Sequence, residues 1–217
     1  MLSMIFQNPI LFLAWITSIV IAITAHEFFH AWTANILGDS TARDEGRLSL
    51  NPLAHLDPMG TILLLLIGFG WGKPVPFNPY NLRDQRWGPA LVALAGPLSN
   101  LGMAIIGSLA LNFVLETGSL VPKGLEIFLN IFIYLNLILM VFNLIPIPPL
   151  DGSKVLFAIL SLSEKAKFML EHNGPFLLLT FILLDQFLAL SILRKVVLGA
   201  VKILFSLLVP EATNLFL

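Results

Sequence analysis

The pentad His26-Glu27-Phe28-Phe29-His30 sits at the end of an apolar run that reaches back to Ile10 almost without a break. Positions four apart on a helix share a face, so His26 and His30 can converge on one metal ion. Glu27 projects from the neighbouring face, close enough to hold a water bound to that ion. In soluble proteins this spacing marks a zinc hydrolase. Here the preceding residues demand a helix within a bilayer. Ionisable groups at that depth cost about 2.5–3.5 kcal/mol each on insertion scales and are seldom idle. The chain has four histidines and commits two of them to this pentad, so a paired metal site outweighs a chance match to a short pattern.

Composition agrees with that setting. Of 217 residues, 57% are hydrophobic and 12% charged, and the mean hydropathy is +0.90, the profile of a polytopic membrane protein. A formal charge of −1 supplies no basic patch and argues against nucleic acid as a partner. The absence of cysteine removes disulfides and thiolate sites, leaving His, Asp and Glu as metal ligands. The N-terminus has no basic stretch and no small-residue cleavage site, so the first helix reads as retained.

Asn8-Pro9 predicts a helix start, with Asn as cap and Pro in the first turn, and Gly38 predicts the end after Leu37. Such a helix is roughly 43 Å long against a bilayer core of about 30 Å, which puts the pentad submerged but near one surface. Residues 39–58 are polar and turn-rich. The apolar run Met59 to Phe69 gives only about 16 Å of helix, too little to span comfortably. From Trp71 to Pro79, prolines alternate with apolar residues, so the chain is extended there; it either re-enters the membrane and offers an edge to a peptide, or is an interfacial loop. Ala90 to Val114 spans, with Gly96-Pro97-Leu98-Ser99-Asn100 near its start. Ile127 to Ile145 spans next, carrying Asn130, Asn136 and Asn143, amides expected to face other helices. In Pro146-Ile147-Pro148-Pro149-Leu150-Asp151-Gly152 the prolines lock an extended backbone and place Asp151 rigidly, as a cap of the helix Ser153–Leu162, as a ligand, or as both. Ser163 to Asn173 is polar. Apolar segments Phe176–Leu190 and Val196–Val209 follow, with Asp185 unaccounted for.

Depth can be cross-checked. The 90–114 and 127–145 helices are antiparallel, so Asn100 and Asp151 lie toward one membrane face. The pentad shares that face if residues 38–88 make no net crossing, which a short 59–69 segment that enters and returns would permit. Arg43, Arg47, Lys73, Arg83, Arg86, Lys154, Lys165 and Lys167 then fall on the site's side and Lys123 on the other, joined there by Arg194 and Lys195 if 176–190 spans. The positive-inside rule turns the site toward the cytoplasm and the N-terminus outward.

Three ordered motifs, HExxH at His26–His30, GPxxN at Gly96–Asn100 and NxxPxPPLDG at Asn143–Gly152, resemble the site-2 protease family of intramembrane zinc metalloproteases. The resemblance covers roughly residues 10–160. It is greatest to the short subgroup without a PDZ or CBS domain, in which LNPxxHxDPxGT follows the metal-binding helix, here Leu50 to Thr61. It implies that His26, His30 and Asp151 ligate Zn2+, that Glu27 is general base and acid, and that Asn100 hydrogen-bonds the substrate backbone or the oxyanion. His55 recurs in the subgroup's pattern, either as a gating or alternate ligand or as a loop histidine without a metal role.

The expected fold is therefore an all-α polytopic membrane protein, a bundle of about five to six transmembrane helices. A re-entrant loop or short strand region would lie between the first helix and the GPxxN helix. Residues 1–217 form a single membrane-embedded domain, its catalytic core about 9–160 and its C-terminal helices 174–210. The expected function is intramembrane cleavage of transmembrane protein substrates in the lipid bilayer of the cell (inner) membrane; the pattern sets no oligomeric state. The rivals are a membrane metal transporter with a His/Asp transit site and a non-catalytic relative that binds membrane helices. Neither needs Glu27 beside the ligand pair.

Overall fold

A computed structural model describes residues 6–67, 70–117 and 122–210. The described residues are helical with no strand; a single antiparallel bridge joins Leu56 to Gly72. Among the described residues eight α-helices are defined in order: α1 (Pro9–Ile36), α2 (Thr41–Asp44), α3 (Pro58–Ile67), α4 (Gly88–Thr117), α5 (Lys123–Asn143), α6 (Gly152–Leu160), α7 (Glu164–Phe187) and α8 (Ile192–Leu208).

Three of them, α1, α4 and α5, are long and apolar enough to cross a membrane. Asn8 caps α1 through its side chain, which accepts from the Leu11 N–H at 3.1 Å, and Gly38 follows the helix with φ +111°. The buried stripe Ala14, Ser18, Ala22, Ala25 recurs every turn and lets α4 and α5 approach the α1 backbone closely. Leu111 of α4, Leu129 of α5 and Phe205 of α8 close the opposite end of the bundle as part of a buried apolar cluster that reaches Ile133 and Leu137 in mid-bundle.

Residues 38–87 leave α1 and come back to the same end of the bundle. The Arg83 N–H donates to the Leu37 carbonyl at 3.0 Å. Asp39, fully buried, ties the two limbs: its oxygens accept from the Thr41 N–H and hydroxyl, the Asn78 N–H and the Asn81 amide. Burial alone would raise the Asp39 carboxyl, but these donors outweigh it and hold its pKa below the ordinary value. Within this excursion α3 is followed by a return: a Cβ on Gly60 would stand 2.2 Å from the Trp71 carbonyl oxygen, so the chain doubles back along the helix. The tail of the apolar run, Gly68 and Phe69, lies outside the described residues.

One expectation is revised and two readings are completed. The 146–150 stretch is not extended but turns twice, the Ile147 N–H donating to the Ile145 carbonyl and the Leu150 N–H to the Ile147 carbonyl. The polar stretch 163–173 forms the first half of α7, which continues through Pro175. A Cβ on Gly174 would sit 2.4 Å from Pro148 Cβ, so α7 rests directly on the turn before Asp151. Asp185 receives a role: its carboxylate accepts from the Ile192 N–H at 2.7 Å and caps α8, supplying acceptors that the helix start lacks.

Candidate metal centre

The last third of α1 faces the first third of α4, and the turn after α5 closes the space between them. His26 and His30 lie one turn apart on α1, both buried. Their Nε2 atoms are 2.9 Å apart. Asp151 Oδ2 is 3.1 Å from the Nε2 of His26 and 3.4 Å from that of His30. One ligand atom from each of the three residues lies within 4.8 Å of the other two. Asp151 occupies the N-cap position of α6 but makes no capping bond, so its carboxylate is turned to the histidines and the cap reading falls. Gly152 is required beside it: a Cβ there would stand 2.2 Å from the Leu144 carbonyl oxygen.

The outer nitrogens determine what the inner ones can do. His30 Nδ1 is 2.7 Å from the Val92 carbonyl, which can only accept, so that nitrogen carries the proton. His26 Nδ1 is 2.7 Å from Asn100 Oδ1, again an acceptor. In the neutral rings both Nε2 atoms therefore turn lone pairs to one another and to Asp151 Oδ2, which is buried and accepts no hydrogen bond. Three converging acceptors of this kind repel unless a cation stands between them. Two imidazoles and one carboxylate are the donor set that zinc takes when a fourth position stays open.

Room for such an ion is built into α4. A Cβ on Gly96 would stand 2.4 Å from His30 Nε2 and 2.6 Å from His26 Cε1, so only glycine lets the helix pass the two rings. Asn100, four residues on, is wholly buried, and its amide nitrogen donates to the Ala22 carbonyl at 3.2 Å and to Asn136 Oδ1 at 3.0 Å. Both amide hydrogens are thus committed within the protein. Glu27 is half-buried on the adjoining face of α1, where its Oε1 lies 3.6 Å from the position a Cβ on Gly72 would take. His55 stands apart from the cluster: it is fully buried, its Nε2 donates to the Ser49 carbonyl at 2.6 Å, and its own carbonyl accepts from the Lys73 N–H.

Together the fold and site define a helical membrane protein built around an internal histidine–carboxylate cluster. The sequence profile of Peptidase family M50 matches residues 113–181, a stretch that contains Asp151. The "Putative zinc metalloprotease YwhC" of Bacillus subtilis (strain 168) is 42% identical over 156 residues, 70% of this chain and 71% of that protein. The "Putative zinc metalloprotease Rip2" of Mycolicibacterium smegmatis is 33% identical over 149 residues, 65% of this chain and 55% of that one. An archaeal relative, the "Putative zinc metalloprotease MJ0611" of Methanocaldococcus jannaschii, is 37% identical over 101 residues, 45% of this chain and 49% of its own. No solved structure matches. The chain belongs to peptidase family M50, the site-2 proteases.

One contributor to the centre carries no site signal in the sequence. Gly96 is marked there by the GPxxN motif, though not for its fit against the two rings, whereas Asn136 reads only as an amide facing another helix. A lone sequence does not say which helix face meets which, so Asn136 does not stand out beyond its residue type.

Proposed function

We propose that this chain is an intramembrane zinc endopeptidase that hydrolyses peptide bonds within transmembrane segments of membrane protein substrates, as in regulated intramembrane proteolysis. The observation that carries the reading is the convergence of His26 Nε2, His30 Nε2 and Asp151 Oδ2 on one point beside Glu27. These three residues would hold the zinc. When bound, zinc supplies a Lewis acid and lowers the pKa of water at its open position to about 7. The Glu27 carboxylate accepts the proton of the attacking water and delivers it to the amide nitrogen as the C–N bond breaks. Asn100 is assigned the orientation of His26 in place of the substrate contact expected for it, because both its amide hydrogens are already bonded.

Substrate would reach the site past the Trp71–Lys73 segment. A helix hides its carbonyls in its own hydrogen bonds and must unwind locally before cleavage, and the 73–79 stretch offers extended backbone to pair with. The fold-back of Gly60 on Trp71 supports a re-entrant 58–72 segment. Residues 1–217 act as one membrane-embedded domain, the core at about 9–160, with α7 and α8 bringing the bundle to five or six spans. The exposed apolar side chains of Phe176, Leu179, Leu183 and Phe187 on α7 support contact with lipid. The basic residues around the site's end support a cytoplasmic orientation in the cell membrane.

The test is purified protein in detergent, wild type against Glu27→Gln, with zinc content and cleavage of a model transmembrane substrate measured together. The expected outcome is about one zinc per chain in both and loss of cleavage by about 10³-fold or more in the variant. Undiminished cleavage in the variant would overturn the assignment of Glu27, and zinc in both with cleavage by neither would favour a transporter. No zinc in either would overturn the reading.

A further inference from the structure

We infer that Asn136 is a positioning residue for the metal centre, acting through Asn100 to hold the His26 ring in the tautomer that ligates. The inference rests on the zinc reading above and extends it to a helix that contributes no ligand. Asn136 lies in the middle of α5, wholly buried, with no ionisable group to serve.

The direction of each amide in the chain can be worked out from its ends. Asn136 Nδ2 is 2.8 Å from the Phe132 carbonyl, an acceptor, so the nitrogen of that amide must face it. Its Oδ1 is then forced toward Asn100, 3.0 Å from Asn100 Nδ2. The second hydrogen on that nitrogen goes to the Ala22 carbonyl of α1 at 3.2 Å. With its nitrogen so pinned, Asn100 can turn only its oxygen to His26 Nδ1, at 2.7 Å. His26 must donate from Nδ1 and keep its Nε2 lone pair for the site. Reversing either amide would set nitrogen against a donor and oxygen against oxygen at buried positions, where an unmade hydrogen bond is costly.

The relay has a physical rationale in its location. His30 has a backbone carbonyl, Val92, within direct reach, and a carbonyl cannot flip. His26 has instead the side chain of Asn100, whose two ends differ only by which atom is nitrogen. An amide alone would leave the tautomer free to invert; the Ala22 carbonyl and Asn136 together remove that freedom. Outer partners of ligating histidines are worth about 10–100-fold in metal affinity.

The experiment compares apparent zinc affinity, by chelator competition in detergent, for wild type, Asn136→Leu and Ile133→Ala. Ile133 is also wholly buried on α5, one turn earlier, and serves only packing. Asn136→Leu is expected to weaken zinc binding by about tenfold or more, with Ile133→Ala unchanged in affinity but reduced in thermal stability. Asn136→Ala gives the same readout if the leucine variant does not accumulate. Wild-type affinity in the Asn136 variants, or an equal loss in Ile133→Ala, would overturn the inference while leaving the zinc site standing. A wild type without zinc would overturn both.

Discussion

The two ends of this helix bundle are held together by different physics. At one end α1 and α4 meet through imidazoles, amides and carbonyls: His26, His30, Val92 and Asn100 bond in fixed directions, and the chain of bonds reaches Asn136 in mid-bundle on α5. At the other, α4, α5 and α8 meet through Leu111, Leu129 and Phe205, with shape alone to match. In a bilayer lipid tails are as apolar as leucine, so apolar packing gains dispersion and close fit but no expulsion of water. Directional bonds at the polar end specify one arrangement; the apolar end tolerates more than one. The site is placed where the arrangement is specified.

That contrast can be broken at the polar end with one methyl group. Gly96→Ala sets a Cβ 2.4 Å from His30 Nε2 and should weaken zinc binding and cleavage by about hundredfold or more. Gly102→Ala, further along α4 with nothing within 4 Å of its Cβ position, should leave both unchanged and gain up to about 1 kcal/mol of helix stability. Zinc content and proteolysis of the two variants check the pair. At the apolar end Leu111→Ala, at a side chain with no exposure, should lose about 2–5 kcal/mol of stability with zinc per folded chain unchanged, measured by unfolding in detergent.

The smallest effect is expected outside the bundle, at Asp39. Its carboxyl is held below the ordinary value by donated hydrogen bonds. The stabilisation is therefore complete above about pH 4 and is lost as pH falls through the lower folded value. Asp39→Asn should cost about 1–2 kcal/mol at neutral pH and flatten the acid limb of stability, read from melting curves at stepped pH.

Much of the polar end is legible in the order of residues alone. The pentad spacing defines a shared face, and Asn8-Pro9 sets where α1 begins, because caps and period are local properties of the chain. Asp151 is legible as rigidly placed, though the backbone before it turns where extension is expected. Proline restricts φ and removes a donor but does not choose between an extended run and successive turns. The role of Asn136 is not legible, since an amide in a span reads the same whether it braces a neighbouring helix or orients a ligand two residues removed. Asp185 is opaque for a related reason: it caps a helix that starts seven residues later, across a turn with Ala189 and Ser191 at positive φ. Polarity is uninformative at 163–173, where a helix at the bundle's edge keeps its charges outward and Gly174 supplies the contact.

The hydrogen bond from Arg83 to Leu37 and the Asp39 clamp bring the two ends of residues 38–87 to a single point beside the catalytic helix. Everything between them is an insertion with a closed neck. Lengthening or rewriting it costs little in chain closure, since that cost grows only logarithmically with length. The bundle would register no change in its own connectivity. Evolution could exchange this excursion while the bundle that holds the histidine–carboxylate cluster stays as it is, and an engineer could graft a foreign one at the same neck.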